Sequence, residues 1–164
     1  MPRPPASISR IGLGCVTFGR EIDEAASFAL LDHALERGIT HFDTAAAYGG
    51  GASETILGKW LESRKPANIT VATKILPPYD RIDLTPSLER LGVDHIDLLY
   101  LHQWHDTALQ AAEALEKLPV KRFGASNVTL DQLCALGPRF SVIQNNHNLA
   151  VSDVSGELRD YCTE

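Results

Sequence analysis

The sequence predicts an α/β fold in which a parallel sheet is joined by helical crossovers. Three observations carry that prediction: six short apolar or β-branched runs, amphipathic stretches of helical period between them, and glycine or proline at most of the joins. Pro2 to Pro5 is an extended tail, and Ile11 to Val16 (IGLGCV) the first strand, with Thr17, Phe18 and Gly19 as its exit loop. Between Asp23 and Arg37, Ala26, Leu30, Leu31, Ala34 and Leu35 recur at helical spacing behind Asp23 as N-cap. Gly38 ends that helix, and Ile39 to Phe42 forms the second strand, which empties at Asp43 into a loop carrying Tyr48. A second helix opens at Ser53-Glu54 and carries Trp60; the third strand, Ile69 to Ile75 (ITVATKI), closes on Lys74. Leu84 to Leu91 is a short helix that tolerates Pro86 only in its first turn. Ile96 to Leu101 (IDLLYL) delivers His102, and Ala108 to Leu118 is amphipathic. Val120 to Ala125 hands over to Ser126 and Asn127, Leu130 to Leu136 is helical, and Ser141 to Gln144 is the sixth strand. Ser152 or Asp153 then caps a last helix running into Glu164.

Bulk properties narrow the function. With 164 residues, 44% hydrophobic and 22% charged, the chain has enough material for one core, read as a single domain over 1–164. The net charge of -6 comes with no basic stripe, which argues against a nucleic-acid partner. No apolar run reaches membrane-spanning or signal-peptide length, and Cys15, Cys134 and Cys162 lie far apart without metal-type spacing. These features predict reduced thiols in a cytoplasmic protein.

In a parallel α/β fold, ligands bind at the carboxyl ends of the strands. Asp43, Lys74 and His102 mark three successive strand ends, and Tyr48 lies in the loop after the second. A simpler reading makes Asp43 a helix cap and Tyr48 its packing partner. His102 and His105 lack the thiolate or carboxylate partners of a metal site, so no metal is expected. Asp94 and Asp97 flank the start of the fourth strand, opposite the chemistry, and read as structural caps; His33, His41 and His147 read as packed or solvated. Gly49 to Ser53 lacks a phosphate-loop pattern and reads as a turn that lets Tyr48 face inward.

The stretches IGLGCVTFG, GITHFDTAAAYG with GGASETILGKWL, VATK, SLERLGVDHIDLLYLHQW, FGASN and VIQNNHNL run through nearly the whole chain. Together they resemble the aldo-keto reductase superfamily of NAD(P)-dependent enzymes, in the family's order. The resemblance implies a (β/α)8 TIM barrel of which six of the eight units are readable. It implies a catalytic tetrad of Asp43, Tyr48, Lys74 and His102, with NADP(H) ahead of NAD(H) as cofactor and an aldehyde or ketone as substrate. Thr17, Phe18, Asp43, Ser126, Asn127 and Gln144 would contact the cofactor, and Trp104 would wall the substrate pocket.

Elementary chemistry agrees with those roles. A carbonyl accepting hydride builds negative charge on oxygen, which a donor must stabilise and protonate. A lysine ammonium beside a phenol favours loss of the phenolic proton, and a carboxylate keeps that ammonium charged and aimed. An imidazole can donate to the same oxygen. Hydroxyl and amide side chains suit a nicotinamide carboxamide.

The chain departs from the family in length. The absent seventh and eighth units would carry the aromatic against the nicotinamide, the pyrophosphate loop and the 2'-phosphate site. Two readings follow: a longer enzyme lacking surface segments in this sequence, favoured because every strand end survives, or a genuine fragment with two open sheet edges. Intact mass against 17.9 kDa separates them. A non-catalytic nucleotide-binding or partner-docking relative is the alternative function, and its mark would be a damaged tetrad.

Overall fold

The computed structural model describes residues 8–115, 117–150 and 154–162. Six strands, β1 (Gly12–Gly14), β2 (His41–Asp43), β3 (Thr70–Ile75), β4 (Ile96–Leu101), β5 (Val120–Ser126) and β6 (Phe140–Gln144), form one sheet in chain order. Every neighbouring pair is parallel, and the sheet makes a half-barrel of α/β units. The crossovers carry α1 (Glu24–Glu36), α2 (Ala52–Arg64), α3 (Thr85–Leu91), α4 (Ala108–Leu115) and α5 (Leu130–Leu136), and α6 (Gly156–Tyr161) follows β6. No helix among the described residues is long and apolar enough to cross a membrane.

Local chemistry sets the boundaries. Asp23 caps α1 by accepting from the Ala26 N–H at 2.8 Å. At its other end Gly38 takes a φ of +80°, and the Ile39 N–H bonds the Ala34 carbonyl at 3.0 Å. That closure holds Ile39 to the helix instead of the sheet, so β2 starts later than the apolar run suggests and takes in Asp43. The first strand is likewise shorter than Ile11 to Val16, because among the described residues it pairs only with the three-residue β2; Ile11 is left 68% exposed. Pro86 sits in the first turn of α3, where its missing N–H costs nothing. Thr129 and Gln132 cap α5 reciprocally. The fourth helix stops at Leu115, short of Leu118, and Leu118 closes a turn back onto the Leu115 carbonyl at 3.2 Å. The last helix is capped by Ser155, which accepts from Leu158, and it ends at Tyr161. The expected caps Ser152 and Asp153, the helix end at Glu164 and the Pro2–Pro5 tail lie outside the described residues.

Strand alternation divides the core into two faces. Phe42, Leu99 and Leu101 join Leu31, Leu57, Trp60 and Leu91 in the helix-side core. The Phe42 and Trp60 rings meet at a tilt of 57° with centroids 5.2 Å apart. Ala72, Leu98 and Tyr100 pack on Val142 on the inner face. Gly58 lets α2 approach α3 closely, since a Cβ there would run into the Arg90 carbonyl and Leu91. At the amino end of the strands Asp97 accepts from the Val71 N–H at 3.0 Å and pairs with Lys121 at 2.8 Å, a structural role. A cleft of about 1090 Å³ lies there between Lys65 and Asp97, away from Asp43, Tyr48, Lys74 and His102.

Candidate active site

Asp43 and Lys74 are carried inward by β2 and β3, because their neighbours Phe42 and Thr73 point to the helices. Backbone pairing continues past β2: the Thr44 N–H bonds the Ala72 carbonyl at 2.9 Å, and the Ala46 N–H bonds the Lys74 carbonyl at 3.1 Å. The loop then winds into a single 3-10 turn, Tyr48–Gly51. Gly49, Gly50 and Gly51 hold φ values of +59°, +62° and +95°, a run that only glycine adopts at low cost. That turn brings Tyr48 back over β3 directly ahead of α2.

Lys74 is 1% exposed. Its Nζ donates to Asp43 Oδ1 at 2.7 Å, Asp43 Oδ2 at 2.6 Å and the Thr44 carbonyl at 2.9 Å. The longest of its contacts reaches the Tyr48 hydroxyl at 3.4 Å. A buried ammonium without such partners would be costly; here a carboxylate and a carbonyl compensate it. The Tyr100 ring lies 5.9 Å from the same nitrogen on the inner face.

His102 follows β4, its backbone N–H bonded to the Ile75 carbonyl at 3.0 Å. Its ring meets Tyr48 edge-on with centroids 5.8 Å apart. Burial, and then the nearby Lys74 charge, hold its pKa below the ordinary 6.5, with Asp43 opposing, so the ring is neutral at pH 7. Its Nδ1 is buried and without a partner, as is Nδ1 of His41 at the start of β2. The His41 pKa is also lowered, first by burial, with Asp43 opposing and Arg122 and Lys74 adding.

These two imidazoles predict acid sensitivity. Each binds its proton more readily in the unfolded chain, so their contribution to stability is complete above about pH 6.5 and is lost as the pH falls toward their lowered folded values. Thermal unfolding followed from about pH 8 to about pH 5 should show a falling midpoint. His41→Gln should flatten part of that slope, and an unchanged slope would contradict the assignment.

The four side chains open onto a cavity of about 310 Å³. Its wall includes Ser126, Asn127 and Gln144 from the ends of β5 and β6. Ser126 donates to the Gln144 carbonyl at 2.9 Å, and the Asn127 amide donates to Ser126 Oγ at 3.1 Å. Asn127 holds a left-handed φ of +56°, which turns its side chain back toward the strand ends. The cavity also takes in Gly14, Val16, Asn145 and Asn146, which sequence reasoning missed. Consecutive amides running out of a strand end, QNN at 144–146, were the available signal. Asn145, just after β6, also ties down the loop after β5, donating to the Val128 carbonyl at 2.7 Å and accepting from its N–H at 3.1 Å.

Three expected site residues are not brought to this cavity. Phe18 is 1% exposed and packed into the helix-side core. Thr17 supplies the carbonyl that anchors the turn from Arg20 to Ile22. Trp104 is partly buried against the helix-side core. Its loop is tied down by Tyr79, whose hydroxyl donates to the Gln103 carbonyl at 2.8 Å. Among the described residues no cluster of three or more His, Cys, Asp or Glu could hold a metal ion.

The architecture and sequence both match known proteins. The family model for the aldo/keto reductase family matches residues 10–164. The aldo-keto reductase YhdN of Bacillus subtilis is 32% identical over 95% of this chain and 55% of its own. An aldo-keto reductase of Klebsiella pneumoniae, solved in complex with NADPH, superposes with a TM-score of 0.86 at 26% identity, over 95% of this chain and 60% of that one. A glycerol dehydrogenase of Gluconobacter oxydans gives a TM-score of 0.81 at 27% identity, over 95% and 57%. The chain therefore spans little more than half the length of these relatives. With the matched residues covering the whole described sheet, the chain belongs to the aldo/keto reductase family.

Proposed function

We propose that the chain is an NADP(H)-dependent oxidoreductase that reduces an aldehyde or ketone to an alcohol, with Tyr48 as the proton donor. The observation that carries this reading is the Tyr48 hydroxyl 3.4 Å from a lysine ammonium that Asp43 and the Thr44 carbonyl hold in place. Asp43 fixes Lys74 in place, and Lys74 stabilises the phenolate left once Tyr48 has given up its proton. His102, neutral and edge-on to Tyr48, orients the carbonyl oxygen by hydrogen bonding.

Ser126, Asn127 and Gln144 supply a hydroxyl and two amides on the same cavity wall, the donor and acceptor types that a carboxamide requires. That donor set fits a nicotinamide, and the Klebsiella relative in complex with NADPH supports the choice of NADP(H). A bound dihydronicotinamide supplies the hydride, and the chain's own residues position the substrate and move the proton. Three free cysteines support a reducing, cytoplasmic setting.

The test is direct. The 164-residue chain is titrated with NADPH by fluorescence and then given a panel of small aldehydes. Saturable quenching and aldehyde-dependent loss of NADPH absorbance are expected. Saturable binding with no turnover would favour a nucleotide-binding module, and absence of both would overturn the reductase reading.

A further inference from the structure

Tyr48 and Lys74 come from different elements, and their contact lies at the long end of hydrogen-bonding range. A shift of about 1 Å between the Tyr48 turn and β3 would break it. Something must set that spacing. The Tyr48 turn runs straight into the first turn of α2, and Glu54, in that turn, is fully buried. One Glu54 oxygen accepts from the Thr73 hydroxyl, and Thr73 is the residue immediately before Lys74. The other accepts from Arg90 Nε on α3 at 2.8 Å and lies 2.7 Å from a terminal guanidinium nitrogen as an ion pair. Arg90 in turn packs beneath the end of the Tyr48 turn, where a Cβ on Gly51 would lie 2.8 Å from its Cδ and Nε. Ser53 completes the fastening, with its hydroxyl 2.7 Å from that of Thr44 and 2.8 Å from the Cys15 carbonyl.

We propose that Glu54 is a positioning residue that fixes the turn bearing Tyr48 to the strand bearing Lys74 and so sets the distance between them. A buried carboxylate that only neutralised Arg90 would not need the second bond to β3. That bond ties α2 to the backbone one residue from the ammonium. The proposal rests on the reading of Tyr48 as proton donor with Lys74 as its partner.

Two variants test it. Glu54→Gln keeps the shape and weakens the pair with Arg90, and Thr73→Val cuts the tie to β3 while leaving that pair intact. Two readouts are taken on the 164-residue chain: kcat and KM for aldehyde reduction, and hydrogen–deuterium exchange across residues 44–52. The amides of Thr44, Ala46, Tyr48 and Gly50 in that segment are bonded to backbone carbonyls, so their exchange reports loop opening. Both variants are expected to lower kcat about tenfold with KM held within about twofold. Exchange across 44–52 should speed up about tenfold while β4 and β5 keep their protection. Lys59→Ala, which removes an exposed pair with Glu24 from the same helix, should leave both readouts unchanged.

Unchanged kcat and unchanged loop exchange in the folded variants would overturn the proposal. So would faster exchange spread evenly over the whole sheet, or loop opening in Lys59→Ala. If the wild-type chain reduces no aldehyde, the reductase reading fails by itself and the exchange result alone decides the role of Glu54. Should Glu54→Gln not fold, Thr73→Val decides.

Discussion

Tyr48→Phe is expected to cut aldehyde reduction by roughly 10²- to 10⁴-fold while saturable NADPH binding persists. The change removes one oxygen from a ring that keeps its edge contact with His102, so pocket shape and packing survive. The proton donor alone is lost. Wild-type and variant turnover measured in parallel with a fluorescence titration check this, and normal turnover by the Phe protein would remove Tyr48 from the acid role. A fall in NADPH binding equal to the fall in rate would assign the hydroxyl to ligand binding instead.

Lys74→Met should have the largest combined effect. Activity should fall at least as far as in Tyr48→Phe, because the phenol loses the charge that stabilises its anion. Stability should fall too: the Asp43 side chain, 13% exposed, would be left facing an apolar thioether. Breaking one side of such a buried pair costs about 3–5 kcal/mol, which in a domain of this size lowers the melting midpoint by roughly 10 °C. Adding Asp43→Asn removes the stranded charge and should recover most of that loss without restoring any turnover. Thermal unfolding of the single and double variants is the check, and a Lys74→Met protein as stable as wild type would show that the pair carries little of the fold's free energy.

Sequence reasoning read some elements to the residue and others poorly, for physical reasons. The fourth strand is a largely apolar run, broken only by Asp97 and bounded by histidines, and α5 lies between the capping Thr129 and Gly137, so both boundaries match the structure. Asp43, Lys74 and His102 stand out because each interrupts or terminates such a run. Tyr48 carries no periodic signal, and its relation to Lys74 became legible through the family resemblance. Phe18 and Trp104 sit in loops, where nothing in the local pattern tells which side an aromatic ring will take. Glu54 was passed over because an acid in the first turn of a helix already has an ordinary explanation in the helix dipole. Its partner Arg90 is 36 residues away, a pairing that only the fold reveals.

Lysines inside carbonyl-handling cavities carry a chemical hazard, since a free amine attacks an aldehyde and traps it as an imine. Lys74 is kept out of that chemistry by the same contacts that make it useful. With its N–H groups directed at a carboxylate and a carbonyl, it has little freedom to turn toward a carbonyl carbon. On the proposed reductase reading, a carbonyl substrate in this cavity would be spared covalent capture, and borohydride treatment in the presence of an aldehyde should leave this lysine unlabelled.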